Sequence, residues 1–249
     1  MNRALLKEDA KNAMRTANPH PVLTTLVFLT VQLAAQIVLS VVAFIFAFSS
    51  IGIAVTALIS NSYGYYSDTY APVSAAGAII YFIAAVVVAL LVGTIQFGYF
   101  VYSLKIFKQE ETGVGELFGY FPMLLKIFGL TLWMGLFIFL WSCLCYIPGI
   151  IAALRYSQAF FILAENPDKS IRECVNESKM MMSGRLWEYF VLQLSFILWY
   201  LLSAVTCGIA SLYVMPYVTI TNAGYYLSLK PEDTYQNYEG YQGGQGNFV

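Results

Sequence analysis

Six apolar stretches, at about residues 22–47, 77–103, 127–145, 147–164, 186–206 and 208–228, constrain this chain more than any motif it contains. Each is close to the twenty or so residues that cross a bilayer as a helix. With 59% hydrophobic and 11% charged residues, the chain cannot build a water-facing surface of ordinary size. The predicted fold is therefore all-α: a polytopic transmembrane helical bundle of six spans over residues 21–230. Residues 1–20 precede it as an amphipathic helix, and 231–249 follow it as a tail.

The positions of lysine and arginine set the topology, because cationic loops stay on the cytoplasmic side. Arg3, Lys7, Lys11 and Arg15 precede the first span; Lys105, Lys108 and Lys126 lie between the second and third. Lys169, Arg172, Lys179 and Arg185 lie between the fourth and fifth, and Lys230 follows the sixth. Six spans put all of these on one face and only Asp68 on the other, with both termini cytoplasmic. The run from Pro21 to Ser60 is long enough for two crossings, but splitting it would move Lys105 and Lys108 outside. It is read as one span followed by an outer loop over about Phe48–Ala76, whose "SNSYGYYSDTYAP" suits tyrosines at headgroup depth or, alternatively, a binding loop.

Charged, partly amphipathic segments precede each pair of spans. In "PDKSIRECVNESKMMMSGR", Ser170 and Glu173 have capping-box spacing. Ile171, Cys174, Val175, Ser178 and Met182 then share one face, with Arg172, Asn176 and Lys179 opposite. Gly184 is a natural stop. This helix is expected to lie along the inner leaflet. The N-terminal segment carries a narrower stripe of Leu6, Ala10, Ala13 and Met14, and "GVGELFGYFP" supplies Leu117, Phe118 and Phe121. Spans 2 and 6 close alike, as "GYFVYSLK" and "GYYLSLK". An internal triplication and simple six-span regularity both account for this pattern. The tail "PEDTYQNYEGYQGGQGNFV" is too poor in aliphatics to bury a core and is expected to be disordered.

Few polar groups fall inside the apolar stretches. Gln32 and Gln36 lie one turn apart in span 1, Gln96 in span 2, Arg155 and Gln158 on one face of span 4, and Gln193 in span 5. These six form the candidate ligand- or lipid-binding set. Arg155 stands at the midpoint of "IPGIIAALRYSQAFFILAENP", where an arginine costs about 2.5–3.5 kcal/mol to insert. A structural pair or glutamine network, an anionic ligand or lipid headgroup, and a moving part of a transport path each answer that cost. Ala85, Ala89 and Gly93 make a packing groove. Pro148 suits a first helical turn, and Pro216 is expected to kink span 6.

Several classes are excluded. The net charge of −1 argues against nucleic acid as a partner. No phosphate loop, dinucleotide fingerprint or nucleophile elbow is present, and His20 is the single histidine, which rules out multi-histidine metal sites. No cofactor is implied, and no catalytic residue or metal ligand is assigned. Cys143, Cys145, Cys174 and Cys207 read as structural thiols, with Cys143 or Cys145 paired to Cys207 as the alternative.

Three stretches, "MNRALLKEDAKNAM", "IPGIIAALRYSQAFFILAENPDKSIRECVNESKMMMSGRLWEYFVLQLSFILWYLL" and "LYVMPYVTITNAGYY", resemble the bacterial membrane family known as domain of unknown function 975. The likeness runs from Met1 to about Lys230 and is most specific from Ile147 to Leu202. The chain departs from the pattern at Leu198, where a glycine is common. The resemblance implies a multi-pass protein of a bacterial plasma membrane and no particular activity. The expected function is that of a non-enzymatic accessory or scaffold protein. The bilayer itself, anionic lipids and another membrane protein are its expected partners. A transporter of a small solute or lipid, using the polar set around Arg155, is the alternative.

Overall fold

The computed structural model describes residues 3–17, 20–62 and 70–230. All regular structure among them is helical. The expected tail, 231–249, and most of the tyrosine-rich outer segment, 63–69, lie outside the described residues. The helices are α1 (Arg3–Thr16), α2 (Pro21–Ser62), α3 (Tyr70–Phe107), α4 (Leu124–Leu144), α5 (Tyr146–Tyr156), α6 (Ala159–Glu165), α7 (Ile171–Met181), α8 (Leu186–Leu194), α9 (Ile197–Val205) and α10 (Ser211–Ser228). Two 3₁₀ turns, Val114–Leu117 and Phe121–Met123, connect α3 to α4. Five segments are long and apolar enough to cross a membrane: Pro21–Gly52, Gly77–Phe107, Val114–Leu144, Tyr146–Glu165 and Leu186–Val205. The expected sixth span, α10, is instead the helix most enclosed by protein, with a continuous buried run from Tyr217 to Thr221.

The chain divides into two compact units, one of Leu29–Gly93 and one of Met1–Phe28 with Thr94–Val249. In the first, α2 does not stop where an outer loop was expected from Phe48. Its hydroxyl residues bond back onto the helix, the Ser49 and Ser50 side chains both donating to the Phe46 carbonyl at 2.8 Å. A serine that satisfies itself in this way need not leave the helix. Helix continues to Ser62 and is present again from Tyr70, so most of the expected loop of Phe48–Ala76 is helical. Phe46 stacks on Tyr81 across this hairpin, and Phe44, Phe48, Ile80 and Phe82 are exposed.

In the second unit α3 supplies the core, with Phe97, Tyr99 and Tyr102 fully enclosed. Tyr99 stacks on Phe28, and its hydroxyl shares a 2.8 Å hydrogen bond with that of Thr25. The N-terminal stripe behaves as its spacing predicts: Leu6, Ala10, Ala13 and Met14 are all buried, and α1 docks on α10. Helix α7 also follows its pattern. Ser170 accepts from the Glu173 amide while the Glu173 carboxylate accepts from the Ser170 amide, completing the capping box. These bonds to Ser170 hold the Glu173 carboxyl below the usual glutamate range. Cys174, Val175, Ser178 and Met182 are buried, Arg172, Asn176 and Lys179 exposed, and Gly184 follows the helix at φ +77°. The third amphipathic segment forms 3₁₀ turns rather than a helix, burying Leu117 but leaving Phe118 and Phe121 exposed.

Candidate functional site at two interrupted spans

Two of the expected spans are broken, each at a serine in an otherwise apolar run. Span 4 stops at Tyr156 and restarts at Ala159; span 5 stops at Leu194 and restarts at Ile197. At the first break the Ser157 hydroxyl donates to the Leu154 carbonyl at 2.8 Å. At the second the Ser195 hydroxyl donates to the Leu192 carbonyl at 2.5 Å. Back-bonding of this kind competes with the helical ladder and weakens it, so that a break is tolerated where other groups take up the freed backbone.

A break frees backbone groups that must be satisfied elsewhere. Across the span 4 break, Ser178 of α7 does this with a single hydroxyl. It donates to the Arg155 carbonyl at 2.7 Å and accepts from the Gln158 amide at 3.3 Å. Ser178→Ala is expected to lower stability by about 1–3 kcal/mol, since fully buried Gln158 loses the partner of its amide. A thermal unfolding midpoint in detergent unchanged from wild type would show that this bridge is dispensable.

Around the break lies a polar layer. The Gln158 side-chain amide donates to Ser157 at 2.8 Å, and Tyr189 of α8 interacts with Ser157, Gln193 and Gln158. Gln193 in turn donates to the Asn222 carboxamide of α10 at 2.8 Å. The Gln158 Oε1 is buried and accepts no hydrogen bond among the described residues. Of the expected site residues, Gln158 and Gln193 thus both lie near Tyr189. Gln96 is half-buried on α3, while Gln32 and Gln36 belong to the other unit, both exposed on α2.

Arg155 is not the buried centre of a continuous span. It occupies the last turn of α5, where a cation complements the helix dipole, and its side chain is exposed. Among the described residues its guanidinium makes no ion pair or hydrogen bond; only its carbonyl is engaged. Other cations lie over aromatic rings at and near the two breaks. Lys179 lies 5.4 Å from the Tyr156 ring centroid, and Arg172 lies 5.4 Å from that of Trp133. At the second break Lys7 donates to the Ser195 hydroxyl at 2.6 Å and lies 4.7 Å from the Phe196 ring centroid. Burial first, then the charges of Lys11 and Arg3, lower the Lys7 pKa below the usual lysine range. Lys11 lies over Tyr217, 5.8 Å from its centroid.

The cysteines show neither a pair nor a metal site. All four are free, with Cys174 buried and Cys143, Cys145 and Cys207 exposed. No cluster of metal-ligating side chains occurs among the described residues.

The breaks and the helix that bridges one of them fall within residues 143–233, which match the family model described as protein of unknown function (DUF975). This segment is similar to that family. It begins in the last turn of α4 and ends just past Lys230, so it holds both breaks, α7 and α10, a narrower extent than the resemblance from Met1 implied. Neither the curated proteins nor the solved structures yielded a match to the chain. Helix α1 and its Lys7 lie outside the matched residues yet engage the second break. Sequence reasoning missed Ser157, Ser178, Ser195, Tyr189, Asn222 and Lys7. The legible signal was a serine interrupting each apolar run; which partners close the break depended on packing.

Proposed function

We propose that this protein is a non-enzymatic accessory or scaffold protein of a bacterial plasma membrane that binds anionic lipid headgroups at the cation-bearing breaks of spans 4 and 5. The carrying observation is Arg155, an exposed guanidinium with no acidic partner among the described residues, at a break that Ser178 already closes. Its side chain is not needed to hold the fold together, so its five donors are free for a phosphate, which a guanidinium binds in bidentate fashion. Lys179, over the ring of the adjoining Tyr156, adds a second cation. Native mass spectrometry of the protein extracted from phosphatidylglycerol-containing membranes tests the reading. Arg155→Leu is expected to retain several-fold less phosphatidylglycerol while unfolding at nearly the wild-type temperature. Equal retention by the two proteins would refute it.

A transporter of a small solute or lipid is the second reading, favoured by the unpaired Gln158 Oε1 in a polar layer between interrupted helices, an arrangement that solute sites use. Single cysteines along α5 and α6 that react with a water-soluble thiol reagent on the Gln158 face would support it. Complete protection of that face would count against it.

A further inference from the structure

We propose that the α4–α5 and α9–α10 hairpins enter only one leaflet of the bilayer, their turns at Cys145 and Cys207 resting near its midplane among acyl chains rather than emerging on the far side.

Length is the first argument. Span 4 reaches the needed twenty residues only when α5 and α6 are added together, and span 5 only when α8 and α9 are. Above the breaks, α5 has 11 residues and α9 has 9. At about 1.5 Å per residue these measure roughly 16 and 14 Å, half of a hydrocarbon core of about 30 Å. Helix α4 is longer, 21 residues, but Arg172 of α7 lies 5.4 Å from the Trp133 ring, and the part of α4 beyond Trp133 is again about half a core long.

The docked amphipathic helices locate the water boundary. Helix α7 bridges the first break through Ser178, and α1 reaches the second through Lys7. Both helices turn charged residues outward, among them Lys11, Arg15, Arg172, Glu173 and Lys179. Such faces belong at headgroup level and are excluded from hydrocarbon. Acyl chains therefore begin at the breaks, and the cations there, Arg155 included, mark that level.

The turns themselves suit a dry site. Leu144, Tyr146 and Ile147 at one tip, and Val205 and Ile209 at the other, are each more than 70% exposed. No charged residue occurs from Ile127 to Leu154 or from Tyr189 to Leu229. A turn emerging into water would leave these large apolar side chains bare. Four backbone amides at the turns, meanwhile, are satisfied without water. The Cys145 amide donates to the Trp141 carbonyl, the Gly208 amide to Ser203 and the Ile209 amide to Thr206, while the Ala210 amide donates to the Thr206 hydroxyl. Internal satisfaction is the condition for placing a turn in lipid.

The depth of the hairpins is independent of headgroup binding at Arg155, and their tests are separate. Full-length chains keeping Cys145 or Cys207 as the sole cysteine are labelled with a nitroxide in detergent. They are then reconstituted into phosphatidylcholine–phosphatidylglycerol vesicles, with a label at Ser183→Cys, exposed between α7 and α8, as the aqueous reference. Both tip labels are expected to show the high oxygen and low nickel-chelate access of a nitroxide on a lipid mid-chain. Nickel access equal to that of the Ser183 reference would overturn the proposal. The unmodified protein gives a second reading that requires no variant to fold. With a membrane-impermeant maleimide present on both faces of the vesicles, no addition at Cys143, Cys145 or Cys207 is expected by mass spectrometry. Addition at Cys145 or Cys207 would show that the hairpins cross.

Discussion

Replacing Glu165 with glutamine is expected to lower the stability of the detergent-solubilised protein by about 3–5 kcal/mol, the largest loss from a single side chain in this fold. Glu165 closes α6, and its carboxylate gathers the chain's distant ends. One oxygen accepts from Lys108, just past α3, at 2.6 Å. The other accepts from the Tyr226 hydroxyl of α10 at 2.6 Å and from Lys230. Side-chain exposure is 11% for Glu165 and 13% for Lys108, so little water screens the group. Glutamine keeps the shape but leaves two ammonium groups facing a neutral amide in a poorly solvated place. Thermal unfolding followed by circular dichroism reads the effect. A change of less than about 1 kcal/mol, the size of an exposed pair, would mean that the cluster is effectively solvated. Replacing all three charged members with Glu165→Leu, Lys108→Met and Lys230→Met is expected to recover much of the loss, because the penalty lies in the uncompensated charges.

The second large effect is expected at Gly98, one of the glycines in α3. A Cβ there would stand 2.6 Å from the Glu116 carbonyl oxygen, 2.7 Å from the Leu117 Cα and 2.8 Å from the Leu117 oxygen. All three are backbone atoms, so no rotamer change relieves the overlap. The 3₁₀ turn would have to retreat, unseating fully buried Leu117 and straining the Lys105–Glu116 pair at 2.6 Å. Gly98→Ala is expected to cost about 3 kcal/mol or more, the upper part of the range for overpacking. Gly93, five residues earlier on the same helix, has nothing within 4 Å of its Cβ position. There alanine removes only the conformational freedom of glycine and is expected to stabilise by about 0.5–1 kcal/mol. Equal unfolding midpoints for the two variants would show that α3 and the turn do not meet as closely as described.

Amphipathic spacing was the most legible level of organisation. The stripe Leu6, Ala10, Ala13 and Met14 and the face Cys174, Val175, Ser178 and Met182 could be read directly, because only one side of each helix has anything apolar to bury. The capping box was equally local, since Ser170 and Glu173 satisfy one another within a single turn. Continuity was not legible. A run of apolar residues reads the same whether its helix is whole or broken, and a serine in it can stay helical, as Ser49 does, or end the helix, as Ser157 does. The difference at Ser157 is a neighbour 21 residues further on, Ser178, which takes up the freed backbone groups.

Composition and periodicity by themselves determined that this chain is an all-helical polytopic protein and which faces of α1 and α7 are apolar, because hydrophobic burial acts on each residue type wherever it lies. Only the tertiary structure decided where Arg155 stands. Its sequence position is the middle of an apolar stretch, but its physical position is the end of α5, where α7 meets the bundle. The cost of an arginine depends on how much low-dielectric material surrounds it. That is set by the break in the helix and by the α7 serine that makes the break tolerable.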